Sequence, residues 1–318
     1  MRHHTVVLVV FFGCLFPLTK SKSLRNSRRL ISPRNFTLWT PADIAATVDR
    51  WGEHYPQLLR VFTAQEAYGL PAAGSAEDCP FDEGMIGCAN RVMVLQDYAA
   101  HPEGEETARF LPHVLWSGEL HGNERVGPTA VMEATKLLLE ATACEGLPRE
   151  SIRDDADAWE QEVERAASCR QELREEYGLT DTQRRWMARL ATTRRLVIVP
   201  TANALGYFQS VRTEAHIDPN RDFPYDSNDQ CMETIAARTL NEVYRDHIFQ
   251  LSLTFHGGME IIGYEWGAPN YLGEDSPDDA AQKEIAKTYS EFAGGFHGTS
   301  PYAYGPYVSF VCVLRVCA

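Results

Sequence analysis

The stretch Ser117-Gly118-Glu119-Leu120-His121-Gly122-Asn123-Glu124-Arg125-Val126-Gly127 decides how this chain is read. It begins where the apolar run Val114–Ser117 ends, and Pro128 follows it, opening a stretch rich in Ala, Leu and Met to about Ala143. The pattern predicts a strand, a glycine-bearing loop and a helix with proline in its first turn. His121 and Glu124 stand three residues apart in that loop, close enough for an imidazole nitrogen and a carboxylate to reach one ion. With 10 His and 44 acidic residues in 318 positions, about one such pair should arise by chance, so the spacing gains meaning only from its surroundings.

Working outward, Thr40-Pro41-Ala42-Asp43 reads as a helix start, and Ile44, Val48 and Trp51 recur at helical spacing to about His54. Strands are expected at Leu58–Ala64, Arg91–Leu95, Leu196–Pro200 and Leu251–Phe255, and helices from about Cys231 to His247 and from Asp278 to Phe292. The chain from Thr201 to Asn228 reads as irregular. Residues 145–186 carry 12 acidic and 7 basic side chains and read as a charged surface insertion, with Trp159, Val163 and Ala166 on one apolar face. Strands alternating with helices predict an α/β fold: a single domain with a mixed, mainly parallel sheet and helices on both faces. Such sheets place their ligands in loops at strand ends.

His256 ends the apolar strand Leu251–Phe255 and is followed by Gly257 and Gly258, so it too should project at a strand end. Two His and one carboxylate leave a position open for water, the arrangement of a catalytic rather than a structural zinc. Asp218-Pro219-Asn220-Arg221 offers an amide and a guanidinium fork suited to a carboxylate, and the free C-terminus of a peptide is one. Asp218 could accept from the far nitrogen of a metal-bound His and fix its tautomer.

Composition bounds the rest. A length of 318 residues with 44% apolar content suits one large α/β domain. Met1 to Ser23 has the layout of a secretory signal, with the apolar run Thr5–Leu18 followed by a polar stretch, so residues 1–22 are expected to be cleaved. The net charge of -14 becomes -17 once Arg2, Lys20 and Lys22 are gone, which disfavours nucleic acid and, after cleavage, anionic membranes as partners. A secreted location, or a secretory or lysosome-like compartment, is expected, where disulfides can persist. Of the 8 Cys, Cys79 and Cys88 are close enough to clip one loop, and Cys144 and Cys169 bracket the start of the insertion.

Taken together, the segments resemble the zinc metallocarboxypeptidases of the carboxypeptidase A and B type. SGELHGNERVG is similar to the family's loop bearing the first His and the Glu ligand, DPNRDFPY to its substrate-carboxylate motif, and TFHGG to the third ligand; the stretch from Thr40 to Gly69 resembles the start of the catalytic domain. The resemblance implies a domain over residues 39–304, preceded by an N-terminal segment 23–38 and followed by an atypical tail 305–318. It implies one Zn²⁺ held by His121, Glu124 and His256, with Asn220 and Arg221 holding the C-terminus of a peptide or protein. Asp218 would orient a ligand His, and Arg212 would polarise the scissile carbonyl. The family's general-base glutamate lies well downstream of the third ligand. Only 62 residues follow His256, and no matching glutamate motif is found in them, so a missing C-terminal part is expected. Glu260 and Glu265 read as solvated loop residues. Without that base, a zinc- or peptide-binding pseudoenzyme or a fragment is the alternative to an active peptidase. An aspartoacylase-like zinc deacylase is another, and a non-haem iron oxygenase, which shares the two-His-one-carboxylate set, would need an all-β barrel instead.

Overall fold

The computed structural model describes residues 6–12, 37–145, 156–224, 232–258, 261–265, 274–293 and 303–306. The strands are β1 Val6–Phe12, β2 Leu59–Thr63, β3 Arg91–Leu95, β4 His113–Ser117, β5 Arg195–Val199, β6 Phe249–Gly257, β7 Ile261–Tyr264 and β8 Ala303–Pro306. The helices are α1 Pro41–His54, α2 Ala64–Tyr68, α3 Glu106–Arg109, α4 Val126–Glu145, α5 Ala156–Tyr177, α6 Asp181–Thr193, α7 Ala204–Gln209, α8 Ile235–Asp246 and α9 Asp279–Ala293. The strands form one sheet in the order β2-β3-β5-β4-β6-β1-β7-β8. β5, β4, β6 and β1 run parallel, β2 pairs antiparallel with β3 and β3 with β5, and β7 is antiparallel to β1 but parallel to β8. The mixed, mainly parallel sheet expected from the alternation is therefore present.

Helix α1 starts as its sequence predicts: Thr40 accepts from the Asp43 amide, and Pro41 occupies the first turn. Helix α4 follows β4, and α8 precedes β6. The chain passes from β4 to β5 on one side, then from β5 across to β6 on the other. Right-handed crossovers in opposite directions put α4 and α8 on opposite faces. The core shows the result. Met93, Leu95, Leu196, Ile198, Leu253 and Phe255 pack with Ile44 and Val48 of α1 and Val131, Met132 and Leu139 of α4. The alternate residues Val92, Val94, Val197 and Val199 pack with Ala237, Leu240 and Val243 of α8. Both faces of β3 and β5 are buried, which is why these strands read as unbroken apolar runs.

Residues 145–186 do not form one separable insertion. Helix α5 is tied to α4 by the Cys144–Cys169 disulfide. Helix α6 crosses the expected boundary at 186, because the Thr180/Gln183 capping box starts it at 181, and it runs on into β5. Cys79 and Cys88 are bonded to each other. The stretch read as irregular holds helix α7 and a 3-10 turn at Pro219–Arg221. The apolar run read as a leader contributes β1, between β6 and β7. Among the described residues, no helix is long and apolar enough to cross a membrane.

The C-terminal ends of β4, β5 and β6 share one rim, and their N-terminal ends share the other. On the second rim His113 and His247 lie with ring centroids 5.1 Å apart, packed about Phe249. Burial pushes both imidazoles down to about 4, helped by the charge of Arg195 and, for His113, of His247. Both are therefore neutral in the folded protein, whereas the unfolded chain takes up protons near 6.5. Between those values the unfolded state binds more protons, so this contribution to stability is complete above about 6.5 and is lost as pH falls toward about 4. We expect denaturant unfolding at about pH 7.5 and about pH 4.5 to show a smaller loss of stability on acidification for His247→Phe than for the wild-type chain. Equal losses would place the acid sensitivity elsewhere.

Candidate metal centre

The loop after β4 turns sharply because two glycines allow it. A Cβ on Gly122 would fall 1.9 Å from the Gly206 carbonyl carbon, and one on Gly127 would fall 2.5 Å from the Phe255 carbonyl oxygen. These approaches press the loop against α7 and β6 and bring its two functional residues toward the end of β6.

There His121 and His256, both essentially fully buried, face one carboxylate. His121 Nδ1 lies 2.8 Å from Glu124 Oε1, and His256 Nδ1 lies 2.7 Å from Glu124 Oε2. The Gly257 amide donates to Oε2 at 2.9 Å. One ligand atom from each of the three residues lies within 4.8 Å of the others, the only such group of three or more His, Cys, Asp or Glu among the described residues. Burial alone would raise the Glu124 carboxyl, but the hydrogen bonds and charges of the two imidazoles bring it down to about 2. Two imidazoles and a carboxylate converging in a largely enclosed site fit a single Zn²⁺ with an open coordination position.

Asp218 supports the far side. Its Oδ1 is 3.0 Å from His121 Nε2, so Nδ1 of that ring is left facing the carboxylate of Glu124. The same oxygen accepts from the Asn220 amide at 2.9 Å and thereby starts the 3-10 turn. Burial would raise the Asp218 carboxyl, but His121 and then Arg212 hold it well below the usual carboxylate range. Arg212 bonds Asp218 Oδ2 through Nε at 3.0 Å and reaches Glu124 Oε1 through Nη1 at 3.5 Å. Its guanidinium rests on the two carboxylates rather than standing clear in solvent.

Asn220 is 1% exposed, and its Nδ2 donates to no described group. The neighbouring Arg221 is exposed, and its Nη1 donates to the Asn220 carbonyl at 3.2 Å. Both residues therefore sit on the turn that Asp218 fixes.

Glu265 does not join them. Leu8 pairs with both Leu253 and Tyr264, so Glu265, one residue further along the chain, sits about four residue levels, or ~13 Å, down the sheet from His256. Nor is it solvated: burial pushes its carboxyl up to about 7, offset in part by the bond from Gln282. Glu260 and the 307–318 part of the tail lie outside the described residues.

Several supporting residues were not singled out from sequence. Glu214 accepts from the Ile235 and Ala236 amides, and Asp222 from the Glu233 and Thr234 amides and the Thr234 hydroxyl. Both carboxylates thus clamp the loop carrying Arg212 and Asp218 to the start of α8, where free amides and the helix dipole favour negative charge. Asn203 holds the other side, donating to the Leu120 carbonyl at 3.1 Å and accepting from Gly206. Glu119 is fully buried beside the metal loop, and burial raises its carboxyl well above the ordinary range.

The fold and the donor set define a one-zinc centre at the rim of an α/β sheet. The family model described as zinc carboxypeptidase matches residues 164–314, a span that holds Arg212, Asp218, Asn220, Arg221 and His256 but starts after His121 and Glu124. It also takes in residues 305–314 of the tail that sequence reading set apart. Among solved structures, thrombin-activatable fibrinolysis inhibitor is 12% identical with a TM-score of 0.54, over 84% of this chain and 58% of that one. Its bovine form, in complex with tick carboxypeptidase inhibitor, is 12% identical with a TM-score of 0.51, over 85% and 76%. Carboxypeptidase A from Helicoverpa armigera is 12% identical with a TM-score of 0.52, over 86% and 59%. The chain thus spans less than two thirds of the length of two of these structures, and at such identities the likeness is one of fold. No curated protein matches the chain by sequence. The family model thus covers 151 of the 318 residues, and the solved carboxypeptidase structures share the chain's fold.

We expect purified protein to carry about one zinc per chain and His121→Ala or His256→Ala to lose most of it. Asp218→Asn, which leaves all three ligands in place, should weaken zinc by roughly 10- to 100-fold. Metal analysis after dialysis against a graded chelator checks this, and full zinc in both His variants would overturn the ligand assignment.

Proposed function

We propose that this chain is a metallocarboxypeptidase domain that receives the free C-terminus of a peptide or protein. The observation that carries the reading is the placing of His121 and His256 on the two oxygens of Glu124, with Asp218 behind His121 and the Asn220–Arg221 turn built directly on Asp218. Zinc bound there would acidify a water and polarise a carbonyl. The residues of the chain do the remainder. The Asn220 amide, buried with an unused donor, and the Arg221 fork receive the terminal carboxylate, a planar group that matches a guanidinium bidentately. Arg212 exchanges one of its carboxylate bonds for the carbonyl oxygen of the scissile peptide as charge develops on it. Asp218 holds His121 in the tautomer that presents Nδ1.

The position of Glu265 favours a second reading for the 318-residue chain. At ~13 Å from the level of His256 it cannot take a proton from a water at the metal, so binding without rapid turnover is what the described residues support. Loss of a general base typically slows such a reaction by about 10²- to 10⁴-fold.

One set of acyl-dipeptides, as free acids and as C-terminal amides, tests both readings. Arg221→Ala should weaken binding of the acids by about tenfold or more and leave the amides nearly unchanged. Equal losses would give Arg221 another role. Hydrolysis by the intact chain should stay near that of the His121→Ala control; turnover of ordinary enzymatic size, absent in the control, would show that this chain does supply a base and would remove the second reading.

A further inference from the structure

A cleft of about 800 Å³ opens between the ends of α1, α4 and α6, with α5 along one side. Thr142 and Glu145 line it at the end of α4, and Thr192 lines it just ahead of Arg195, where β5 begins. The cleft therefore lies toward the rim where the parallel strands start, opposite the rim that carries His121 and His256.

Three arginines share its walls: Arg165 of α5, and Arg185 and Arg189, four residues apart on one face of α6. Two carboxylates also line the cleft, and both are engaged elsewhere. Asp97 Oδ1 accepts from the Ala99 and Ala100 amides at 3.1 and 3.0 Å. Glu145 is paired with Arg184, which also holds Asp181 and so fixes α6 against the end of α4. Among the described residues, neither Arg185 nor Arg189 forms an ion pair with a carboxylate. The Arg189 guanidinium lies 5.5 Å from the centroid of the exposed Trp186 ring, a contact that restrains the fork without occupying its N–H groups. Like charges four residues apart on a helix repel, and cations gathered in a cleft raise the local concentration of anions. In a chain of net charge -14 such a cleft is the exception, and a bound anion would relieve its repulsion.

The number of forks narrows the chemistry of that anion. A carboxylate has two oxygens, which one guanidinium satisfies bidentately. A phosphate or sulfate ester has three, enough for forks arriving from two helices. The volume falls within the range of small-molecule clefts, far more than one oxyanion fills. Ala99, Ala100, Ala143 and Ala188 leave room along the walls for an organic body.

We propose that this cleft binds an organic phosphate or sulfate ester, its oxyanion taken by Arg185 and Arg189 on one side and Arg165 on the other. The site does not depend on the metal centre or on the peptidase reading.

Phenyl phosphate and phenyl sulfate, titrated calorimetrically against the full chain, test the proposal, with benzoate as the carboxylate control. At least one ester should bind with a dissociation constant of about 1 mM or tighter, and benzoate at least about tenfold more weakly. The tighter ester identifies which oxyanion the cleft takes. Arg185→Gln and Arg189→Gln should each weaken that ester about tenfold, and Lys at either position should recover only part, because charge returns without the fork. Arg245→Gln, on α8 across the sheet, should change nothing. Binding should persist in His121→Ala, which separates this cleft from an ester captured at the metal centre. Arg185 and Arg189 are exposed, and unchanged zinc content in their variants checks that the fold is kept. Absence of binding by both esters at about 10 mM would overturn the proposal. So would benzoate binding as tightly as the better ester, or equal losses in Arg245→Gln and the two α6 variants.

Discussion

The Glu124 carboxylate is the group on which the site depends. Its two oxygens meet His121, His256 and the Gly257 amide, so it joins the loop after β4 to the end of β6. Burying a carboxylate is costly unless its lone pairs are satisfied, and here burial is outweighed by the imidazoles. The same requirement explains the glycines. Gly127 lets the start of α4 approach Phe255 closely enough that Glu124 and His256 can share one carboxylate's width. With a metal at this position the three side chains would exchange their mutual hydrogen bonds for coordination.

A second constraint follows from the first. Asp218 can reach His121 only if the long segment between β5 and α8 is held down, and that segment has little regular structure of its own. Glu214 and Asp222 hold it by accepting from amides at the start of α8, before and after Asp218 in the chain. The helix end supplies donors that would otherwise be unsatisfied, and the carboxylates supply the anchoring. Arg212, just ahead of these anchors in the chain, is thereby kept within reach of both Asp218 and Glu124.

The parts of this arrangement that were legible in the sequence were those with a local signature. β3 and β5 appear as short unbroken apolar runs because both their faces are buried, and α1 announces itself through Thr40, Pro41 and the spacing of Ile44, Val48 and Trp51. His121, Glu124, His256 and Asp218 could be proposed as one site because each stands at a strand end or turn close to glycine or proline. The clamp by Glu214 and Asp222 could not. Its partners are backbone amides 11 to 22 residues away, and one acidic residue in a polar loop looks like any other. The boundary at 186 failed for a similar reason: charge composition described the exposed surface of α5 and α6, while packing against α4 decided where the structural unit ends. Glu265 was read as solvated because the helix expected from Asp278 gave no sign of packing against it, as α9 does through Gln282.

The N-terminal run shows the deeper limit of local reading. A leader and a central parallel strand require the same thing of a sequence, a short continuous stretch of apolar residues, since one must enter an apolar environment and the other is buried on both faces. Val6–Phe12 meets both demands, and no neighbouring residue discriminates between them. In the sheet the run lies between β6 and β7. β7 cannot pair with β6 while a strand lies between them, and β8 pairs in parallel with β7, so the whole edge beyond β6 takes its position from that strand. Register in a buried parallel ladder is set by both neighbours at once. A short apolar run near the start of the chain is thus aligned, through β6, with His256 at the far end of the sequence.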